Sequence, residues 1–126
     1  MSAYLDTHVA VWLAQGSLDR ISPAAMDEMS RTDLLLSPVS LLELQYLYEI
    51  GRVLLSADDL RSKLGSELGV RVCGMDLASV CDVAIHEAWT RDPFDRLIVA
   101  NAKANGLSPL VSADEDIRVN YVRTVW

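Results

Sequence analysis

No apolar run in this chain reaches the roughly 18 residues that a membrane-spanning helix needs. The opening residues, Met1-Ser2-Ala3-Tyr4-Leu5-Asp6, lack a basic region followed by a long apolar stretch, so no signal peptide is expected. There are only two cysteines, Cys73 and Cys81, both in apolar surroundings. They read as reduced, buried thiols of a cytoplasmic protein rather than as a disulfide. The two histidines, His8 and His86, are too few and too far apart for a zinc site, and the cysteines lack metal-ligand spacing. A Gly-rich phosphate loop is missing, and no Ser or Cys nucleophile arrangement is evident. Basic residues are the minority: 11 Lys and Arg stand against 18 Asp and Glu, for a net charge of −7. Without a broad basic surface, tight non-specific binding of nucleic acid is not expected.

What is present is one domain's worth of chain, residues 1–126, with 51% hydrophobic residues, enough for a full core. Ala3-Tyr4-Leu5 reads as a strand ending at Asp6, followed by a helix from Val9 to Leu13 that contains Trp12. Ser22-Pro23 is a cap with proline at the first helical position, opening a helix to about Met29. Leu34-Leu35-Leu36 is a short buried strand. Ser37-Pro38 repeats the cap signal and starts a long helix that Gly51 ends. Ser56-Ala57-Asp58-Asp59 opens a fourth helix, closed near Gly69, and Val70 to Cys73 reads as a third strand.

Asp76 then caps a helix whose face carries Leu77, Val80, Cys81, Ala84, Ile85 and Ala88. Asp92-Pro93 opens another, with Leu97, Ile98 and Ala102 on its apolar side and Gly106 as its stop. Leu110-Val111 is a fourth strand, and Tyr121 to Val125 a fifth. Strands alternating with helices imply an α/β fold with a mainly parallel sheet covered on both faces. Sites in such sheets form beyond the carboxyl ends of the strands.

Four carboxylates sit where apolar segments end or are interrupted: Asp6, Glu43, Asp95 and Asp114. Asp6 and Asp114 directly follow strands. A helix cap alone would explain Asp6, and the two roles are compatible because a strand-end cap also points at the sheet rim. Glu43 lies in Val39-Ser40-Leu41-Leu42-Glu43-Leu44, where a buried acid costs several kcal/mol unless paired or on a metal. Asp92 and Asp95 could serve only to start their helix. Arg96 beside them could hold the acids or grip a phosphate bidentately. Glu115 and Asp116 read as solvated turn residues. Clustered acids without matching bases call for divalent cations, and all-oxygen ligation favours Mg²⁺ or Mn²⁺. Setting aside those four acids and Asp92 leaves thirteen acidic residues against eleven basic ones, so a site made of the five would account for most of the net negative charge.

Together the segments resemble PIN-domain ribonucleases, specifically the VapC toxins of bacterial toxin–antitoxin pairs. Four motifs in order carry the resemblance. They are Asp6-Thr7-His8 with Trp12; Ser37 to Leu44 followed by Gly51-Arg52-Val53; Arg91-Asp92-Pro93-Phe94-Asp95-Arg96-Leu97-Ile98; and Ser112 to Arg118 with Val122 to Trp126. The resemblance implies a three-layer α/β/α sandwich with a central parallel sheet of about five strands. It implies an acidic quartet of Asp6, Glu43, Asp95 and Asp114 on one or two Mg²⁺ or Mn²⁺ ions, with Asp92 alongside and Thr7 as a polar helper. An RNA substrate, a cognate antitoxin and a homodimer come with it. Thr90 departs from the pattern, since similar chains often have histidine there. One rival is a catalytically silent PIN-like interaction module. The other is a phosphotransfer enzyme acting through Asp6, which the His8 position and the single acid of Leu5-Asp6 disfavour.

Overall fold

The computed structural model describes residues 1–126. Its elements run β1 (Ser2–Leu5), α1 (Thr7–Gln15), a 3-10 turn (Leu18–Arg20), α2 (Pro23–Ser30), β2 (Asp33–Leu36), α3 (Pro38–Glu49) and α4 (Ala57–Leu68). They continue with β3 (Arg71–Val72), α5 (Leu77–Ala84), α6 (Pro93–Ala104), β4 (Leu110–Val111), α7 (Glu115–Asn120) and β5 (Thr124–Val125). Each of the seven α-helices opens on an Asp or Ser whose side chain accepts from a backbone N–H of the first turn. Such a cap satisfies donors that the helix itself cannot. Gly16 and Gly69 close α1 and α4 in the left-handed conformation, φ 73° and 67°, which suits glycine.

The five strands form one all-parallel sheet in the order β3-β2-β1-β4-β5. Helices cover both faces, and β1 shows how. Ala3 and Leu5 pack with Val9, Ala10 and Ala14 of α1, Ala25 of α2 and Leu60 and Leu64 of α4. Tyr4, pointing the other way, packs with Ile98, Val99 and Ala102 of α6 and Ile117 of α7. Alternation along a strand divides the core into these two halves. The buried Tyr4 hydroxyl donates to Cys73 Sγ at 2.9 Å and accepts from the amides of Asn101 and Asn105 at 3.2 and 2.9 Å. Burial pushes its pKa upward. No helix is long and apolar enough to cross a membrane.

The structure shortens some of the expected elements and adds one. The apolar face expected to reach Ala88 stops with α5 at Ala84; only Val80 and Ala84 of it are buried, and Leu77 and Ile85 are exposed. The chain leaves the helix because the following loop is held elsewhere. Buried Glu87 pairs with Lys103 of α6 and accepts from Trp89 Nε1 at 2.6 Å. Tertiary contacts there override local periodicity. The fifth strand covers only Thr124–Val125, and the acidic turn after β4 is the start of α7, capped by Asp114. Cys73 is buried as expected, while Cys81 is only half-buried; both are free thiols.

The sheet order reverses direction at β1. Strands β2 and β3 extend to one side of it, β4 and β5 to the other. Helices leaving β1 and β4 therefore diverge, opening a crevice beyond the ends of those two strands. Asp6 and Asp114 stand at that crevice.

Candidate active site

A cavity of about 510 Å³ opens at the crevice, lined by Asp6, Thr7, His8, Trp12, Glu43, Asp92, Asp95 and Asp114 among others. All four carboxylates of the expected quartet are brought together, with Thr7 and Asp92 beside them. Arg96 is the exception. Its Nε donates to the Glu87 carbonyl at 2.8 Å, and it does not line the cavity. The arginine beside the two acids braces the α5–α6 loop instead of gripping a phosphate. Its long stem carries the guanidinium away from the face on which Asp95 lies.

Asp6 is the most tightly held of the acids, and it is buried. Its backbone N–H continues the β1–β4 ladder onto the Val111 carbonyl at 3.0 Å. Oδ1 accepts from the Thr7 N–H at 2.8 Å, and Oδ2 accepts from Ser112 Oγ at 2.6 Å. His8 Nδ1 lies 3.4 Å from the same Oδ2. His8 Nε2 accepts from the Ala113 N–H at 3.1 Å. That contact fixes the tautomer, placing the ring hydrogen on Nδ1, where it faces Asp6. Ser112 Oγ in turn accepts from the Asp114 N–H at 3.1 Å, and Asp114 Oδ1 accepts from the Ile117 N–H at 3.0 Å as it caps α7. One buried serine thus ties the two strand-end acids together.

The other acids come from helices. Asp92 caps α6, its Oδ1 accepting from Phe94 N at 2.9 Å and Asp95 N at 3.4 Å. The turn before it is shaped by Thr90, whose Oγ1 accepts from Asp92 N at 3.1 Å. The departure at Thr90 thus acts on local shape, one step removed from the acids. Asp95, half-buried in the first turn of α6, has its pKa pushed up to about 7. Burial is the largest cause; the charges of Asp92, Asp6, Asp114 and Glu43 add to it. Glu43 is raised too, first by burial and then by Asp6 and Asp92, with the Thr7 hydroxyl pulling the other way. No Lys or Arg forms an ion pair with Asp6, Glu43, Asp92, Asp95 or Asp114; the ion pairs of this protein lie at Arg31 and Lys103–Glu87, and the neutral His8 ring meets Asp6 through its Nδ1–H.

The family model of the PIN domain matches residues 3–122. This chain belongs to the PIN-domain family. Among solved structures it is similar to VapBC2 from Rickettsia felis, crystallised bound to a DNA fragment from their promoter. That match has a TM-score of 0.60 at 16% identity and covers 95% of this chain and 93% of the other. It bears out the three-layer α/β/α arrangement of this PIN domain. No match was found among curated proteins.

The donor set of this PIN domain fits a hard divalent cation. Every group facing the cavity from the quartet is a carboxylate oxygen, the donor that Mg²⁺ and Mn²⁺ prefer. Thr7 Oγ1 is buried at the same place, facing Glu43 but with no partner at hydrogen-bond distance; Ser40 Oγ of α3 is the other buried side-chain oxygen without one. No three acidic, His or Cys groups are close enough to form a finished metal site, so the carboxylates ring the cavity as an open set of donors.

Two of the residues that organise this ring carry no local sequence signal of that role. Ser112 lies two positions before Asp114, and His8 two after Asp6. Their roles depend on β1 lying beside β4, which no local pattern announces. Ser112→Ala removes the hydroxyl that bridges Asp6 and the Asp114 N–H. A stability loss of about 1–2 kcal/mol is expected from the buried groups left unpaired, readable as a fall in urea midpoint. An unchanged midpoint would mean that water takes over the serine's place.

Proposed function

We propose that this PIN domain is a Mg²⁺- or Mn²⁺-dependent endoribonuclease of the VapC type, the toxin of a toxin–antitoxin pair. One observation carries the proposal. Five carboxylates share a cavity at the switch point of a parallel sheet, Asp95 is held near neutrality by burial and by the others, and no Lys or Arg forms an ion pair with any of them. A cluster so poorly compensated is a functional-site signature.

In this reading Asp6, Asp95 and Asp114 hold one ion, and Glu43 helps hold a second or orients the attacking water. The ion, when bound, would lower the pKa of the attacking water and stabilise the charge that grows on the phosphoryl oxygens. The chain's own residues do the rest. Ser112 and the Thr7 N–H keep both oxygens of Asp6 in fixed directions, so it need not reorganise during the reaction. Glu43, with its raised affinity for a proton, accepts one from the water as the new P–O bond forms. The bond from phosphorus to the 3′-oxygen breaks, and that oxygen takes a proton from solvent. The products carry a 5′-phosphate and a 3′-hydroxyl.

The antitoxin reading rests on the VapBC2 likeness and on α3. Leu42, Tyr46 and Ile50 follow one another at helical spacing and are 63%, 53% and 50% exposed. Glu43 and Leu47, one position on, line the cavity. A partner helix lying on that stripe would reach the rim and cover the acids. A second copy of the chain could use exposed apolar residues too, which is the ground for a homodimer. Cytoplasmic residence fits a toxin whose substrate is RNA.

Incubation of purified protein with total RNA in Mg²⁺ or Mn²⁺ should give cleavage that EDTA abolishes, with ends that accept a ligation partner at the 5′-phosphate. Calorimetry with Mn²⁺ should show binding without RNA. Absence of both heat and cleavage would leave the chain an interaction module.

A further inference from the structure

Two arginines line the same cavity, and neither takes part in holding the ion or moving a proton. Arg20 ends the 3-10 turn after α1, and Arg52 lies in the loop after α3. Both are exposed, and neither guanidinium pairs with any of the five acids around the cavity. Arg20 instead lies over the Trp12 ring, its Cζ 5.5 Å from the ring centre. Trp12 is held from other directions by His8, at 4.9 Å between ring centres and tilted 59°, and by Trp126, at 5.9 Å and tilted 49°. His8 is itself fixed on Asp6 and Ala113. An unbroken run of contacts therefore joins the Arg20 guanidinium, through Trp12 and His8, to the most buried acid of the ring.

We infer that Arg20 and Arg52 are the substrate-binding residues of this site, and that they take a single-stranded RNA segment beside the phosphodiester to be cut. The inference rests on the ribonuclease reading and names what that site grips. A guanidinium already packed on an indole offers its planar outer face to an unstacked base, and its N–H groups to a phosphate oxygen. A base inside a duplex presents no such face. The chain as a whole, at net charge −7, offers little electrostatic attraction to a duplex backbone. Arg52 supplies the second phosphate contact from the Glu43 side of the cavity, where α3 ends. Two cations against five carboxylates make the grip conditional, because phosphate is repelled until the acids are neutralised.

Binding separates this inference from the hydrolysis it serves. The probe is a fluorescein-labelled 12-nucleotide single-stranded RNA, followed by anisotropy in Ca²⁺, an oxygen-seeking ion that fills carboxylate sites. Arg20→Ala and Arg52→Ala should each weaken binding about tenfold and reduce the salt slope of log K by about 0.7, the value for one phosphate contact on a single strand. Arg20→Lys should keep the slope and lose affinity, since the charge remains and the plane does not. Arg118→Ala, on exposed α7 and outside the cavity lining, is the control and should stay within about twofold, its effect limited to weak screened charge. Arg20→Ala and Arg52→Ala both binding like Arg118→Ala would overturn the inference. Wild-type protein that binds RNA yet never cleaves it would sink the nuclease reading and leave this one standing. Cleavage with unchanged KM in both alanine variants would do the reverse.

Discussion

Asp6→Asn should abolish RNA cleavage by at least about a hundredfold, the scale on which removing one preorganised charge-stabilising group acts. Asp6 is the only acid of the ring with both carboxyl oxygens fixed by this protein: Oδ1 by the Thr7 N–H, Oδ2 by Ser112 Oγ and His8 Nδ1. The substitution removes one ligand charge with almost no change of shape. Asparagine also caps helices well, so α1 should still start at Thr7. One contact must nevertheless be lost. If the amide nitrogen takes the Oδ2 place it faces His8 Nδ1–H, and if it takes the Oδ1 place it faces the Thr7 N–H, donor against donor either way. That costs about 1–2 kcal/mol, partly offset by relief of repulsion on Asp95 and Glu43. The expected signature is a folded protein, slightly destabilised, that has lost both turnover and its Mn²⁺ heat. Wild-type turnover in Mg²⁺ would remove Asp6 from the site.

Asp6 and Asp114 are legible in the sequence because each does two things that share one signal. Each follows an apolar strand and caps the next helix, a position that favours a short polar side chain. The parallel sheet is legible for the same reason, since alternating strands and helices admit few other arrangements. Glu43 is legible as an acid among apolar neighbours. What stays hidden depends on distance through space. Ser112 and His8 acquire their roles only because Leu5 pairs with Val111, a register between strands more than a hundred residues apart in the chain. Arg96 defeats a sequence-based assignment because an arginine's reach exceeds its neighbourhood, and a carbonyl of Glu87 competes for it more closely than the cavity does. The helix α7 passes for a turn because six residues, mostly polar or charged, give too little periodicity to register.

Asp95→Asn should separate stability from function in opposite directions. The Asp95 pKa stands at about 7 in the fold against an ordinary 3.8, so the folded state holds the proton that the unfolded chain releases. Stability of the metal-free protein therefore falls as pH rises from about 4 to about 7, and the full penalty is present above that. With the carboxyl half-buried, solvent screening leaves about 1–2 kcal/mol of it. Asparagine carries no charge, so the variant escapes the penalty. The two proteins should melt together near pH 4 and diverge towards pH 8, where the variant gains a few degrees, as about 1 kcal/mol does for a domain of this size. Divalent cation should raise the melting temperature of the wild type at pH 8, since it binds only the folded ring, and should do so far less for the variant. Cleavage by the variant should fall about a hundredfold even at saturating Mg²⁺. A site that strains its own fold until an ion arrives predicts all of this from one substitution. Identical melting curves from pH 4 to pH 8 would show that the carboxylates do not strain the fold, and the case for a cation site would lose its electrostatic support.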